Sequence, residues 1–420
     1  MNARVLKTLF LLLVRDAGRR KLPLAIAILA AGLGGALVLS TIAAGARARS
    51  AFNAAGAGFD AVLAARSSPL QCVLSGIFHL EPFIANLPWD FYVRMADDPR
   101  IEVAIPIAGG DSYEGIPILG TDAALFEVAG EPERWRLRRN SRLFDPLRRE
   151  AVIGSVAAAE TGLNLGDHFH PAHGPEEGGE EHDDEYLVVG VMEPTGSPAD
   201  RVIWIPLEGV LRMSGHMLQS PDGAYAPDPD EEIPEDMMQV SAVLLRVRDT
   251  SSGFSLDQEW NRDGRDATFA WPVTRLVASV VQRLGGVEAV LRALSWFTVL
   301  AGFGFLFAIV HHSLRERRGE LATLRTVGAP RSVVISIPFL EGAVFGALAG
   351  LVAYALHHVV LVIVARYVRS ETGLDLSGGG FDPTYVTVAA LFPVCGGLIG
   401  LLAGLGAYRW QPTELLRRSG

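Results

Sequence analysis

The stretch HFHPAHGPEEGGEEHDDEY, His168 to Tyr186, holds four histidines and seven carboxylates in nineteen residues. Neutral imidazoles are common ligands for zinc and copper, and carboxylates complete such sites. The spacing of His168, His170 and His173, with His182 further on, can set two or three ring nitrogens around one cation. Asp167, Glu181 or Asp183 can close the set, and His216 is a further candidate. A catalytic metal is disfavoured, because the run lacks the additional Asp of the His-x-His-x-Asp-His pattern of metal-dependent hydrolases. Two readings stay open: an acidic loop with incidental histidines, or a zinc or copper site that senses or hands over metal.

What carries this loop is decided by the rest of the chain. Its 420 residues are 49% hydrophobic, with a mean hydropathy of +0.27, too apolar for an ordinary soluble domain of this length. Apolar residues concentrate near the N-terminus and in the last third. The net charge of −10 averages unlike regions: Gly45 to Ala289 carries 39 acids against 20 bases, whereas the flanks are basic. An acidic middle argues against nucleic acid as a partner. Cys72 and Cys395 fall in phases too different to meet, so no disulfide is expected, and two cysteines exclude a multi-cysteine zinc site.

A membrane-spanning helix needs about 20 mostly apolar residues. Four stretches qualify, at about 22–44, 294–311, 333–365 and 384–408. The first is read as a retained span, because its apolar run is longer than a signal peptide's. Lys and Arg flank the spans unevenly. Arg4, Lys7, Arg15, Arg19, Arg20 and Lys21 precede the first; Arg315, Arg317, Arg318, Arg325 and Arg331 join the second to the third; Arg409, Arg417 and Arg418 follow the fourth. The remaining connection has only Arg366 and Arg369, against three acids. The positive-inside rule then makes both termini (1–21 and 409–420) and the connection 312–332 cytoplasmic, with residues 45–289 outside.

Small residues recur every four positions in the third span, at Gly342, Gly346 and Gly350, and in the fourth, at Gly396, Gly400 and Gly404. Such rows let helix backbones approach closely. Whether they pack one bundle or form a homodimer seam is open at this stage. Glu341, the one acid near a membrane phase, is either a functional carboxylate or an interfacial one.

The connection HHSLRERRGELATLRTVGAPRSVV has a helix-forming first half, a stop at Gly328 and a new helix start near Pro330. The wider run RERRGELATLRTVGAPRSVVISIPFLEGAVFGALAG resembles the signature of the FtsX-like permeases, which include MacB-type ABC transporter subunits. The resemblance rests on Leu324, Arg325, Gly328, Ala329, Glu341 and Gly342, and on Pro412, Leu416 and Arg417 in the tail. It implies that the connection docks on a separate ATP-hydrolysing subunit, with Arg317, Glu320, Leu324, Arg325, Gly328 and Ala329 at the contact, and that motion passes to the outer domain. No GxxxxGK[ST] occurs, so the chain supplies no P-loop of its own.

In the middle region AVLAA, VAIPIA, IPILGTD, EYLVVGVM, RVIWIPL and SAVLLRV are short, apolar and bounded by turn residues, as strands are. EAVIGSVAAAETGLNLGD reads as strand, helix and turn, similar to the periplasmic core of MacB-type proteins, with an inserted lobe at about 129–239. Residues 274–297 read as a long helix that Gly285 and Gly286 could break. Ser67 to Met95 is apolar enough to be core or to line a cavity for a partner or lipidic substrate.

The expected architecture is therefore an α-helical membrane protein, with four transmembrane helices and a large α+β extracytoplasmic domain (45–289) between the first and second; residues 290–420 form the permease domain. The expected role is a non-enzymatic permease subunit in an inner (plasma) membrane, as a homodimer in contact with lipid and a periplasmic partner. It carries no resident cofactor apart from candidate zinc or copper at the histidine loop, and it transports or effluxes a substrate. The alternatives are an FtsX-type signalling scaffold that activates a cell-wall hydrolase, and a lipoprotein-handling permease.

Overall fold

The structure is a computed structural model and describes residues 20–55, 58–128, 135–174, 182–213, 233–264, 266–376 and 383–408. The basic N-terminal residues before Arg20, Glu181, His216, parts of the expected insert and the tail motif with Pro412, Leu416 and Arg417 lie outside them. The chain divides into two compact units, one of residues 1–46, 284–364 and 377–420, the other of residues 47–283 and 365–376.

In chain order the helices are α1 (Lys21–Ala55), α2 (Pro69–Gly76), α3 (Trp89–Ala96), α4 (Ala124–Val128), α5 (Ser155–Thr161), α6 (Leu207–Arg212), α7 (Thr250–Asp257), α8 (Val273–Glu316), α9 (Arg318–Thr326), α10 (Arg331–Thr372) and α11 (Pro383–Tyr408). The strands are β1 (Ala61–Ala65), β2 (Leu87–Pro88), β3 (Ile101–Tyr113), β4 (Ile116–Thr121), β5 (Glu150–Ile153), β6 (His168–Phe169), β7 (Ala172–His173), β8 (Tyr186–Val191), β9 (Ile203–Pro206), β10 (Gln239–Val240), β11 (Ala242–Val247) and β12 (Ala267–Ala270).

Among the described residues four stretches are long and apolar enough to cross a membrane, at Lys21–Ala51, Gly285–Glu316, Ser332–Thr372 and Tyr385–Leu405, each lying mostly in the helical unit. The helices outrun the apolar stretches read from sequence. With 44 residues, α8 is about 66 Å long at 1.5 Å per residue. The long helix expected over 274–297 runs unbroken through Gly285 and Gly286, the pair that could have broken it, and α10 extends to Thr372. Nothing lies within 4 Å of a side-chain carbon at either glycine, so neither marks a packing constraint. Leu24, Ala27, Ala31, Phe303, Leu306, Val310, Phe345, Ala349 and Phe392 fill the core of this unit. Ser40 Oγ on α1 lies 3.0 Å from His357 Nδ1 on α10, a buried polar contact between spans.

The glycine rows face each other. A β-carbon on Gly342 would collide with the Gly396 carbonyl, and one on Gly396 with the Gly342 carbonyl. Gly346 abuts the Phe392 backbone and Gly400 the Pro338 carbonyl, and a β-carbon on Gly404 would stand 2.8 Å from the Pro338 ring. Gly350 is buried further along α10. These rows are thus used inside one chain, where α10 crosses α11. Glu341, beside Gly342, is buried within the unit at 3% exposure.

The domain unit is built on a mixed sheet with strand order β12-β1-β11-β3-β4-β9-β5-β8-β6, and β7 pairs with β3 off that path. Neighbours run antiparallel except β4 with β9 and β5 with β8. Both faces are covered, which explains why the strand sequences are apolar throughout instead of alternating. Val62, Val152, Trp204 and Leu244 enter one core; Ala61, Leu63 and Leu245 enter a second; Ile153, Ile203 and Ile205 enter a third. Residues 150–206, read from sequence as part of an inserted lobe, supply β5, β8, β6 and β9 to the same sheet. They are continuous with the domain because β9 pairs directly with β4. The apolar stretch 67–95 is mainly core: Cys72, Val73, Phe78, Leu87, Phe91 and Met95 are buried, with Ile84 exposed. Its helix α2 starts at Ser68, whose side chain accepts from the Gln71 N–H, with Pro69 in the first turn.

His79, at the end of this stretch, donates from Nδ1 to the Ser75 carbonyl and packs edge-on to Trp204. Burial pushes its pKa down to about 4. The unfolded chain titrates at the ordinary value of 6.5, so it binds the extra proton first as pH falls. Stability is therefore full above pH 6.5 and declines towards pH 4, by up to about 3 kcal/mol at 1.36 kcal/mol per unit. The His79→Asn variant, which tolerates the positive φ of 51°, should show a flatter decline of melting temperature over that window. Parallel curves would refute the assignment.

Candidate functional site

Three places bring functional residues together. The first is the turn after α9. The N–H of Ala329 bonds to the Leu324 carbonyl at 3.0 Å and that of Gly328 to the Arg325 carbonyl at 3.1 Å. This 6→1 and 5→2 pair is a Schellman motif, and Gly328 holds its left-handed position at φ +100°. Leu321 and Ala322 turn inward, whereas Leu324 and Val327 stay 42% and 84% exposed. Two aliphatic side chains thus stand outside a fixed turn. Of the residues expected at the ATPase contact, Glu320, Leu324 and Gly328 are exposed, and Arg325 and Ala329 are half-buried. Arg317 precedes α9, largely covered, with Nε 3.2 Å from Glu320 Oε2. Its guanidinium braces the helix start more than it presents a free charge. Glu316, at the end of α8, pairs with Arg20 at the start of α1.

The second place was not visible in the sequence. Residues 365–376, at the outer end of α10 and just past it, belong to the domain unit. Arg201 Nε donates to the Ser370 carbonyl at 2.7 Å, and the Asp375 N–H to the Gly196 carbonyl at 3.2 Å. Arg47 donates to the Leu376 carbonyl at 2.9 Å. Gly373, at φ +70°, leaves no room for a side chain: a β-carbon would sit 2.8 Å from the Ser197 carbonyl oxygen. The loop that receives this segment is braced by Asp200, whose carboxylate accepts from the Thr195 and Gly196 backbone N–H groups. Burial raises the Asp200 pKa against those bonds. The sequence signal for this seam was slight, a glycine one residue past a helix end.

The third place is the histidine region. His173 Nδ1 lies 3.3 Å, and His182 Nε2 3.4 Å, from Asp111 Oδ1. The two rings stand 4.2 Å apart between centroids. All three donor atoms fall within 4.8 Å of one another. Asp111 and His182 are buried and His173 is exposed. His168 and His170 are exposed and outside this group; His168 instead lies 3.4 Å from Glu185. The expected carboxylates are also elsewhere: Asp167 accepts from the Asn164 N–H, and Asp183 is exposed. Asp111 comes from β3, more than fifty residues upstream, and sequence reasoning did not single it out. The only hint was that IAGGDSY interrupts an apolar strand with a charge.

The domain also has a cleft of about 410 Å³ walled by Trp89, Phe144, Leu207 and Met238. Asp122, Glu208 and Glu235 line it too, which disfavours an anionic ligand.

Comparison with known proteins gives these features a setting. The MacB-like periplasmic core domain matches residues 24–262, and the FtsX-like permease C-terminal matches residues 292–412. Among solved structures, the chain is similar to the periplasmic region of MacB from Actinobacillus actinomycetemcomitans. The identity there is 14%, the match covers 54% of this chain and 94% of that one, and the TM-score is 0.33. It is also similar to the extracellular domain of YknZ, a noncanonic ABC-type transporter from Gram-positive bacteria, at 12% identity, 50% and 97% coverage and a TM-score of 0.29. Likenesses this low carry no structural argument. A comparison with curated proteins found no match. Four apolar helices and the matched families make this a multi-pass inner-membrane protein with an extracytoplasmic domain. Since the core-domain match alone spans more than half of its residues, the chain belongs to the MacB-like, FtsX-like family of ABC-type permease subunits.

Proposed function

We propose that this permease subunit couples ATP hydrolysis in a separate cytoplasmic chain to movement of its extracytoplasmic domain, in the service of export. The observation that carries the reading is the Schellman turn at Gly328, which presents exposed Leu324 and Val327 beside Arg325. A rigid turn with aliphatic anchors and a basic neighbour is suited to insertion into a partner's groove. By the positive-inside rule the basic flanks support a cytoplasmic side for this turn and both termini. Three helices, α1, α8 and α10, each contribute residues to both units, so a displacement at the cytoplasmic end has continuous helical routes outward. Because α10 and α11 use the glycine rows on each other, those rows lend no support to a homodimer seam. The homodimer and the periplasmic partner are further parts of this proposal, and exposed apolar side chains on the spans, among them Leu300, Leu351 and Leu402, suit contact with lipid.

The test is co-purification of the full chain with its ATPase from the native membrane. Arg325→Glu should abolish capture. Gly328→Ala should weaken it, since a β-carbon in the left-handed region costs about 1–2 kcal/mol. Both variants should keep the wild-type melting temperature to within a few degrees, because Arg325 is half-buried at the surface and a side-chain carbon at Gly328 meets no atom within 4 Å, leaving only the backbone strain. Undiminished capture with both variants would overturn the docking assignment.

A further inference from the structure

We infer that Asp111, His173 and His182 form a divalent-cation site of the zinc class, with water as the remaining ligand. The spacing is the first support. Ligands about 2.05 Å from a tetrahedral zinc stand roughly 3.4 Å apart along each edge. The two Asp111 to histidine separations are 3.3 and 3.4 Å. A charge-assisted hydrogen bond between the same groups would close to about 2.8 Å. Both histidines bring a ring nitrogen close to the same carboxylate oxygen, and all three donors fall within 4.8 Å of one another.

The second support is the backbone. The antiparallel β3–β7 ladder pairs Asp111 with His173 and Ser112 with Ala172. The Gly174 N–H bonds to the Gly110 carbonyl at 3.1 Å, and Ser112 Oγ donates to the Gly174 carbonyl at 2.6 Å. The His182 N–H bonds to the Pro171 carbonyl at 2.8 Å. All three donors are thus held in position by main-chain bonds, and a site arranged in advance loses little freedom on binding. A register shift in β3 between Gly109 and Asp111 accompanies the burial of both Asp111 and Ser112, next to each other in sequence.

The third support is the balance of charge and access. The Asp111 side chain is 1% exposed, and in so dry a setting a carboxylate attracts a dication more strongly than an exposed one does. Two imidazole nitrogens and one carboxylate oxygen are donor types that zinc takes. The His173 side chain, 44% exposed, gives an ion a way in and leaves room for water. Nitrogen, nitrogen and oxygen donors without thiolate favour zinc over copper(I). Bound there, zinc would tie His173 and His182 to Asp111 of β3. The site stands apart from the ATPase-coupling reading and can fail or hold independently of it.

The test uses the full chain in detergent, purified without a polyhistidine tag, stripped with chelator and titrated with zinc chloride against a chromophoric competitor. One zinc per chain is expected. Asp111→Asn and His173→Ala should each weaken binding by more than about 100-fold, beyond the loss seen when outer-shell partners of a metal are changed. The His168→Ala/His170→Ala double variant should bind as wild type does. Since His173 is exposed, His173→Ala should fold normally, and its melting curve without zinc checks this. Absence of zinc uptake by the wild-type chain would overturn the inference. So would binding that survives His173→Ala, or that is lost in the His168/His170 double variant.

Discussion

Gly396→Ala is expected to lower the melting temperature of the full chain sharply, whereas Gly304→Ala should leave it unchanged or raise it slightly. In a helix interior, alanine is favoured over glycine by up to about 1 kcal/mol. Gly304 has nothing within 4 Å of a side-chain carbon, so that gain is free to appear. At Gly396 the new carbon collides with the backbone carbonyl of Gly342. A backbone atom cannot swing aside, so α10 and α11 must separate. Overpacking of this kind costs about 1–3 kcal/mol, and more where backbone must move. Gly342→Ala should behave alike, because the two glycines are each other's obstacle. Thermal unfolding in detergent measures the difference. Equal stability of the Gly396 and Gly304 variants would show that the two helices do not cross at these residues.

The seam at the outer end of α10 yields the second large effect, on coupling. Gly373→Ala and Gly162→Ala each force a side chain into the left-handed region, at φ +70° and +74°. That conformation costs about 1–2 kcal/mol in either case. The Gly162 variant meets nothing within 4 Å, whereas the Gly373 variant runs into the Ser197 carbonyl and the Pro198 backbone. Gly373→Ala should speed amide exchange in residues 369–376 and cut ATPase stimulation several-fold, with ATPase capture intact. Gly162→Ala should do neither. Arg201→Ala, which removes the bond to the Ser370 carbonyl, provides a second route to the same phenotype. If exchange and stimulation are unchanged in both seam variants, the segment does not transmit movement.

Separate causes underlie these two results and the turn at Gly328. At Gly328 the requirement is local: a left-handed residue closing a Schellman motif, which a short sequence window reveals. At Gly373 the dihedral is legible as a glycine following a helix, but the Ser197 carbonyl that excludes a side chain lies far upstream. At Gly396 the four-residue spacing marks a packing face, and only the tertiary structure identifies its occupant. The histidine run divides in the same way. Its composition marked a candidate metal region, yet two of its four histidines point elsewhere, and the carboxylate comes from β3.

By itself the sequence determined what depends on local composition and short spacing. That covers the four apolar spans, the short apolar strand segments, the excess of Lys and Arg in both tails and in residues 312–332, and the helix-turn-helix connection with Gly328 at its turn. Bilayer length, pleat period and helix capping each act within a few tens of residues, so they leave a continuous trace. Tertiary structure alone decided which glycine row meets which. It also joined residues 150–206 to the central sheet through β9, tied residues 365–376 to the domain, and set Asp111 beside His173 and His182. Each of these is a pairing between segments distant in the chain. Register and crossing geometry select such pairs, and those are set by how whole surfaces fit, not by any one segment's residues.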